Sequence, residues 1–311
     1  MLASLLDFVS SSLFIGAIAQ GLCYAAVGCG VYITFRILAL PYLTIDGSLP
    51  LGAGISAVLI LHAQWSPWLT LPVACMGGAL AGMTTGWLTT RLKIHGLLAG
   101  ILVSIALYTV NLRVMGNRSN LTLLGIPTIF SSLDSHLTHP DSQAVIVFAV
   151  IIGVLVLGLN YFLHTEVGLA MRATGTNEQM VRAQGVNPEA MKVMGLALSN
   201  GLVALCGAML AQYLSFADVN LGLGLIVTGL ASVIIGETLF QPRTTGGALI
   251  SLSCGSMLYR IAIALALRLD FELGGLHVKL DPLDFKLATA VLVIIALSSQ
   301  RVRFFRFRAS R

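Results

Sequence analysis

The stretch "LTIDGSLP", residues 43–50, places a carboxylate, a glycine, a serine and a proline inside a long apolar region. Gly47 permits unusual backbone angles, and Pro50 has no backbone N–H to donate. The pattern predicts a broken helix that starts near Leu49, with Asp46 or Ser48 capping its free N–H groups. Irregular backbone within a membrane is tolerated only beside protein or a water-filled cavity.

The composition is that of an integral membrane protein. The 311 residues are 57% hydrophobic and only 10% charged, whereas soluble domains have about 25% charged residues. The 32 glycines and scarce aromatic residues favour closely packed helices over a β-barrel, which needs short alternating strands. The first residues do not resemble a cleavable signal, because they contain Asp7 and no Lys or Arg. We therefore expect an all-α helix bundle that forms one transmembrane domain over residues 1–311.

Apolar runs near 20 residues long, the length that crosses a bilayer, predict about nine spans. One or two of the helices are expected to be broken or re-entrant. The candidates are the 46–64 segment and the helix that follows Gly222 and Gly224. The alternative for these two glycines is that they only allow close packing of helices. The ridge Gly78, Gly82 and Gly86 predicts close approach of another helix. The predicted spans are residues 11–36, 46–64, 67–90, 95–115, 142–164, 191–214, 219–238, 244–268 and 283–299.

Basic residues cluster in three connecting regions: the turn at 91–93, the 164–192 loop and the tail at 301–311. The positive-inside rule assigns these regions to the cytoplasm, and the tail is suited to contact anionic lipid headgroups. The 116–141 loop, the 269–282 loop and the N-terminus then lie outside. The same count of spans places Asp46 near one face of the membrane.

The 168–187 stretch, "GLAMRATGTNEQMVRAQGVN", predicts a short surface helix from Asn177 to Ala183. Thr176 or Asn177 can cap its start, and Gly185 can end it in a left-handed conformation. A helix this short is unstable alone, so it must dock. Two docking partners are open: its own bundle, or a groove on a separate cytoplasmic protein.

This stretch, together with "LTIDGSLPLGAG", "KIHGLLAGILVSIALYTVNLRVMG" and "GLASVIIGE", resembles permeases of the branched-chain amino acid and ribose class of bacterial ABC importers. The resemblance spans about residues 40–300 and is closest to the tryptophan/tyrosine-type branch. It implies that residues 165–190 form a cytoplasmic segment that couples the permease domain to an ATPase. The coupling residues it implies are Arg172, Thr174, Gly175, Asn177, Glu178, Arg182, Gly185 and Asn187.

The resemblance also implies a function and a set of partners. The chain would move a small polar organic solute, such as an amino acid or related compound, across the bacterial cytoplasmic (inner) membrane by alternating access. The implied partners are an ATP-binding subunit that carries ATP and Mg²⁺, an extracytoplasmic solute-binding protein, and a second permease subunit, which is either a second copy that forms a homodimer or a close homologue. Membrane lipid surrounds the chain, and we expect no nucleic-acid partner.

The chain has no GxxxxGK[ST] phosphate loop, so ATP hydrolysis is expected on a partner chain rather than here. The chain also has no HExxH or GxSxG motif, and we expect neither enzymatic activity nor a cofactor or metal site of its own. The rival interpretation is an ion-gradient-driven secondary transporter that acts without an ATPase. In it, Asp46 and Glu237 would be the ion sites.

Polar residues within the apolar runs are the candidates for a translocation path, because polar groups in a bilayer are costly and often functional. Some of these residues have an alternative to a role in the path. Asp46 could cap a helix at the membrane interface, Asn200 and Gln212 could form hydrogen bonds between helices, and Glu237 could be a solvated loop charge. The candidate path residues are Asp46, Gly47, Ser48, Asn111, Asn200, Gln212 and Glu237.

Overall fold

The computed structural model describes residues 12–41, 43–131 and 140–266, together with short strands at 271–273 and 276–278. Ten α-helices make up most of these described residues. In chain order they are α1 (Ser12–Val31), α2 (Ile45–Leu61), α3 (Pro67–Thr90), α4 (Gly96–Val114), α5 (Pro140–His164), α6 (Glu166–Thr176), α7 (Glu178–Ala183), α8 (Pro188–Leu214), α9 (Leu225–Phe240) and α10 (Thr245–Ala266).

Short elements join some of these helices. A π-helix, Tyr32–Ile37, extends α1, and a 3₁₀-helix, Val219–Gly222, precedes α9. Strand β1 (Asn120–Thr122) follows α4 and pairs antiparallel with β2 (Phe216–Asp218), which follows α8. Strands β3 (Phe271–Leu273) and β4 (Leu276–Val278) also pair antiparallel.

The prediction of an all-α membrane bundle is confirmed. Among the described residues, seven helices are long and apolar enough to cross a membrane, and α2 is a shorter apolar helix. These eight elements coincide with eight of the nine predicted spans. The ninth predicted span, 283–299, lies outside the described residues, as do the 301–311 tail and most of the 269–282 loop.

Helix α8 is the centre of one half of the bundle, buried along most of its 27 residues. Its apolar character extends around the whole helix, as expected for a helix enclosed by protein. Gly78, Gly82 and Gly86 of α3 face the α8 backbone, where added Cβ atoms would overlap residues 193–204. The predicted close approach at this glycine ridge is therefore confirmed.

Helix α2 packs on another side of α8 through the same kind of contact, in which a glycine lies against the backbone of the other helix. A Cβ on Gly52 would overlap the backbone of Ala204, and a Cβ on Gly207 would overlap the carbonyl oxygen of Leu49. Both glycines therefore serve backbone-to-backbone contact. The three helices α2, α3 and α8 form one tightly packed unit.

A second group of helices, α1, α9 and α10, packs by similar contacts. A Cβ on Gly21 of α1 would lie 2.6 Å from the Cα of Met257 in α10. Gly236 of α9 faces Ser251, and Gly255 of α10 faces Ser232. Small residues at these crossings let dispersion contacts and hydrogen bonds replace the hydrophobic effect, which is weak between helices in lipid.

Basic side chains gather at one end of the bundle, here called the basic end. Arg36, Arg172 and Arg243 line one cavity there, and Arg91 lines a groove together with Asn187. The β1–β2 pair marks the opposite end. The turn at 91–93 and the 164–192 loop therefore share one side of the molecule, as the charge pattern predicted.

Candidate functional site

Five of the candidate path residues meet halfway along the bundle. We call this place the junction, and it also includes the backbone where α9 begins. Gln212 lies nearer the opposite end, and Glu237 lies at the basic end. The junction is formed by Asp46, Gly47, Ser48, Asn111, Asn200 and the backbone of 224–226.

The depth of Asp46 corrects the prediction that it lies near a membrane face. Ser48 donates to Oδ1 of Asn200 at 2.6 Å, and Asn200 is the thirteenth of the 27 residues of α8. At about 1.5 Å per residue, this point lies roughly midway along α8. The prediction erred because the chain before α2 enters the bundle without helix: Leu43 lies against Gly100 and Pro41 against Gly96.

The capping role of Asp46 also differs from the prediction. Helix α2 begins at Ile45, earlier than the expected start near Leu49, and its N-cap Thr44 makes no side-chain cap bond. Instead, Oδ1 of Asp46 accepts from the backbone N of Ile226 at 3.3 Å. Gly224, left-handed at φ +80°, provides no side-chain cap for α9. Asp46 therefore caps α9, where a carboxylate is favoured by the helix dipole.

The second helix break is confirmed at Gly222 and Gly224. The chain leaves β2 as a 3₁₀-helix, turns at Leu223 and Gly224, and then starts α9. Pro50 has no N–H to bond the carbonyl oxygen of Asp46 four residues earlier. A Cβ on Gly222 would overlap that same oxygen, so glycine is required for this close approach. The two broken segments thus contact each other through backbone.

The remaining junction residues tie α2 to its neighbours. Nδ2 of Asn111 donates to the carbonyl oxygen of Gly47 at 3.1 Å. The Asn111 side chain is buried, and its Oδ1 has no hydrogen-bond partner in the described part of the chain. Nδ2 of Asn200 donates to Leu196 O at 2.8 Å within α8, while its Oδ1 accepts from Ser48 of α2. The amides of α4 and α8 therefore fix both sides of the first turns of α2.

Gln212 joins helices near the opposite end. Its Nε2 lies within 3.2 Å of three oxygen atoms, which are Ser56 Oγ, Thr70 Oγ1 and Pro67 O. Its Oε1 accepts from Ile129 N at 3.2 Å. Asn200 and Gln212 both face α2, as their spacing suggested, and both make the hydrogen bonds between helices that were the alternative to a path role.

Glu237 lies at the basic end rather than at the junction. Its Oε1 forms an ion pair with Nε of Arg36 at 3.1 Å, which joins α9 to the end of α1. Both side chains line the cavity at this end. Glu237 is therefore paired with a protein charge at the mouth of the bundle.

The segment 165–190 forms α6, α7 and the start of α8. Oδ1 of Asn177 accepts from Met180 N at 3.1 Å and caps α7. Gly185 has φ +83° and ends the short helix. Asn187 caps α8 by accepting from Glu189 N at 3.0 Å. The short helix begins one residue later than predicted, at Glu178, whereas its predicted end, its cap at Asn177 and its left-handed glycine are confirmed.

One side of this segment docks on its own bundle. Lys192 forms an ion pair with Glu178, and Arg182 pairs with Glu189 at 3.7 Å. Val181 is only 2% exposed. These contacts hold α7 against the first turn of α8.

The start of the segment is fixed by α6. A Cβ on Gly175 would overlap the carbonyl oxygen of Ile37, so α6 lies directly on the end of α1. Thr174 is buried, and its hydroxyl donates to Ala170 O at 2.8 Å. Arg172 is partly buried and lines the cavity at the basic end. Movement of α7 would therefore be transmitted through α6 to α1.

The other side of α7 faces outward at the basic end. Met180 is 59% exposed, and Gln179 and Gln184 are exposed beside it. A large apolar side chain at a polar helix tip has no packing role within the described bundle. The sequence signal for this exposed surface was Met180, a large apolar residue of α7 that the described bundle leaves exposed.

Arg260 was not singled out from the sequence. It is 9% exposed within α10, and its guanidinium carbon lies 3.8 Å from the centroid of the Tyr24 ring. A charge inside a span is rare and is stabilised here by the face of the aromatic ring. The sequence signal for Arg260 was that it is the single charged residue within the apolar segment 245–266.

Comparison with known proteins identifies proteins with similar sequences. The family model described as "Branched-chain amino acid transport system / permease component" matches residues 13–297. A tyrosine transport system permease protein of Clostridioides difficile is 36% identical over 285 residues, covering 92% of this chain and 90% of that protein. An uncharacterized protein of Rickettsia prowazekii is 32% identical, covering 93% and 98%. An autoinducer 2 import system permease protein of Salmonella paratyphi B is 30% identical, covering 70% and 60%.

A solved structure has a similar fold. A chain from the structure of PsaBC from Streptococcus pneumoniae in complex with Fab matches with a TM-score of 0.51, covering 95% of each chain. The sequence identity is 17%. At this identity the likeness supports the arrangement of helices alone.

Proposed function

The chain belongs to the branched-chain amino acid transport system permease family, and we propose that a separate ATP-hydrolysing subunit drives it by docking on α7. The chain is the permease component of an ABC transport system, a multi-pass membrane protein and a transport component rather than an enzyme. The observation that carries the proposal is the exposed side of α7, where Met180 projects beside polar residues. One buried anchor and two ion pairs hold the opposite side.

The basic end is cytoplasmic in this proposal, because Arg and Lys are retained on that side of a membrane. The ATP-binding subunit, with its ATP and Mg²⁺, docks there against Met180 and the surrounding residues of 177–187. Its closure on nucleotide pushes α7, and α6 passes the movement to α1 through the contact of Gly175 with Ile37. Alternating access follows if the two helix groups rock around the junction between them.

The solute path passes the junction. Asp46 is partly exposed at mid-depth, and Leu223, Gly224 and Val227 are exposed next to it. A carboxylate facing hydrocarbon at that depth costs several kcal/mol, so this face is covered by protein or by water. A second copy of the chain, related by twofold symmetry, provides that cover and leaves the path along the interface.

The solute is an amino acid or a related small polar compound, and tyrosine is the first probe. Support comes from the tyrosine transport system permease protein that is 36% identical. A soluble binding protein delivers the solute at the opposite end, where the β1–β2 pair and its loops lie. The membrane is the bacterial cytoplasmic (inner) membrane.

Uptake of radiolabelled tyrosine into proteoliposomes tests this function against the ion-gradient alternative. One preparation contains the complete complex with its ATP-binding subunit and binding protein, and the other contains this chain alone. We expect uptake by the complex only when ATP is supplied, and none by the chain alone under a proton or sodium gradient. Gradient-driven uptake by the chain alone would overturn the proposal.

A further inference from the structure

A cavity of about 570 Å³ opens at the basic end between the ends of α1, α6, α9 and α10. Its polar lining includes Tyr32, Arg36, Arg172, Glu237, Arg243 and Thr245. A neighbouring cavity of about 470 Å³ shares Tyr32, Arg36, Arg172 and Thr245 with it. Volumes of this size are typical of ligand-binding sites.

The charges around this cavity do not balance. Glu237 is the carboxylate in its lining, and it is paired with Arg36 at 3.1 Å. Arg172 and Arg243 make no ion pair with any residue in the described part of the chain. Within the described part of the chain, the lining therefore keeps about two unneutralised positive charges, on guanidinium groups that approach from different elements.

The other polar groups of the cavity add hydrogen-bond donors. Helix α10 begins at Thr245, so the first N–H groups of a 22-residue helix face this end of the molecule. Thr244 Oγ1 accepts from Gly247 N at 3.1 Å, which leaves its own hydroxyl hydrogen available. The two guanidinium groups and the Thr244 hydroxyl together match the acceptor oxygens of a phosphate.

The cavity lies at the ends of the apolar helices, which is where lipid headgroups lie when such helices span a bilayer. It lies where four helices end, at the boundary between the apolar spans and the basic loops. Leu239 and Phe240 are 58% and 54% exposed at the end of α9, immediately before the cavity residue Gln241. A phosphate in the cavity can thus belong to a lipid whose chains lie along these apolar side chains.

We propose that this cavity binds a phosphate group, presented by the headgroup of an anionic phospholipid or by a soluble phosphate compound. The bound phosphate bridges Arg172 on α6 to Arg243 in the connection between α9 and α10. It thereby fixes α6, which leads directly into α7. The proposal is independent of which solute the permease carries.

The test measures lipid retention by the full chain purified in detergent, using native mass spectrometry after addition of phosphatidylglycerol or phosphatidylcholine. Arg243→Gln is the main variant, because this exposed side chain has no structural partner among the described residues. Arg172→Gln is the second variant. Arg91→Gln is the matched control, since it removes a charge at the same end but lines a different groove.

We expect each cavity variant to lower phosphatidylglycerol retention by about fivefold, the contribution of one basic residue near a membrane surface. The control variant and phosphatidylcholine retention should not change. Inorganic phosphate is the second probe: a rise in melting temperature that both cavity variants abolish supports the same site with a soluble source. Unchanged phosphatidylglycerol retention in both cavity variants, together with no phosphate-dependent rise in wild type, would overturn the proposal.

Discussion

At the scale of single residues, Asp46 connects two broken segments that are far apart in the chain. Its carboxylate accepts from Ile226 N, 180 residues later, while its own carbonyl lies against Gly222. An isolated carboxylate is costly at this depth, and the N-terminus of α9 supplies compensating partial positive charge. Asp46 thus has a structural role as the cap of α9, and any role of this carboxylate in transport must be compatible with that cap.

Two substitutions of Asp46 separate these roles. Asp46→Ala removes the cap and should cost about 1 kcal/mol of stability, measured as a lower melting temperature of the full chain in detergent. Asp46→Asn keeps an acceptor oxygen for Ile226 N but removes the charge. We expect nearly normal stability and strongly reduced ATP-driven tyrosine uptake for this variant. Normal uptake by Asp46→Asn would exclude the charge from the path.

Ser48 tests the polar contacts around the junction. Ser48→Ala leaves the buried Oδ1 of Asn200 without its donor, and we expect a loss of about 1 kcal/mol of stability. Ser232→Ala is the matched control, because among the described residues buried Ser232 donates only to Thr228 O within its own helix. Equal melting temperatures for the two variants would show that the Ser48–Asn200 bond does not stabilise the bundle.

At the scale of elements, the sequence predicted what depends on local pattern. Apolar length identified eight spans, and the four-residue spacing of Gly78, Gly82 and Gly86 predicted the close packing of α3. The cap at Asn177 and the end at Gly185 followed from local backbone chemistry. Each of these features is encoded within a few neighbouring residues.

The start of α2 and the depth of Asp46 could not be predicted in this way. Both depend on contacts with distant segments: Gly100 admits the chain at Leu43, and α9 provides the partner of Asp46. The local pattern of residues 43–50 gave a helix break, but it did not say which helix the carboxylate would cap. That choice is made by tertiary packing.

The glycine ridge gives a prediction at this scale. Gly82→Ala places a Cβ on the carbonyl oxygen of Leu196 and must separate α3 from α8. We expect a loss of about 2 kcal/mol or more, seen as a lower melting temperature. Gly153→Ala is the control, because a Cβ there meets nothing within 4 Å; its melting temperature should stay close to that of wild type. A wild-type melting temperature for Gly82→Ala would contradict the close packing.

At the scale of the whole molecule, the junction and α7 lie far apart and are joined through helices. The segment 165–190 meets α1 at Gly175 and Ile37, and α1 meets α9 through Arg36 and Glu237. Helix α9 then runs back to Asp46 at mid-depth. This continuous route gives a physical basis for passing movement from the basic end to the junction.

The central claim is that the exposed side of α7 receives a separate ATP-hydrolysing subunit. Met180→Glu tests it without disturbing the helix, because Glu at the third helical position completes a cap with Asn177 and suits the helix dipole. Met180→Leu is the control that keeps an apolar side chain. The measurement is the amount of ATP-binding subunit that co-purifies with the tagged full chain. We predict that Met180→Glu loses most of the bound subunit at an unchanged melting temperature, while Met180→Leu keeps it. Equal co-purification by Met180→Glu and wild type would contradict the claim.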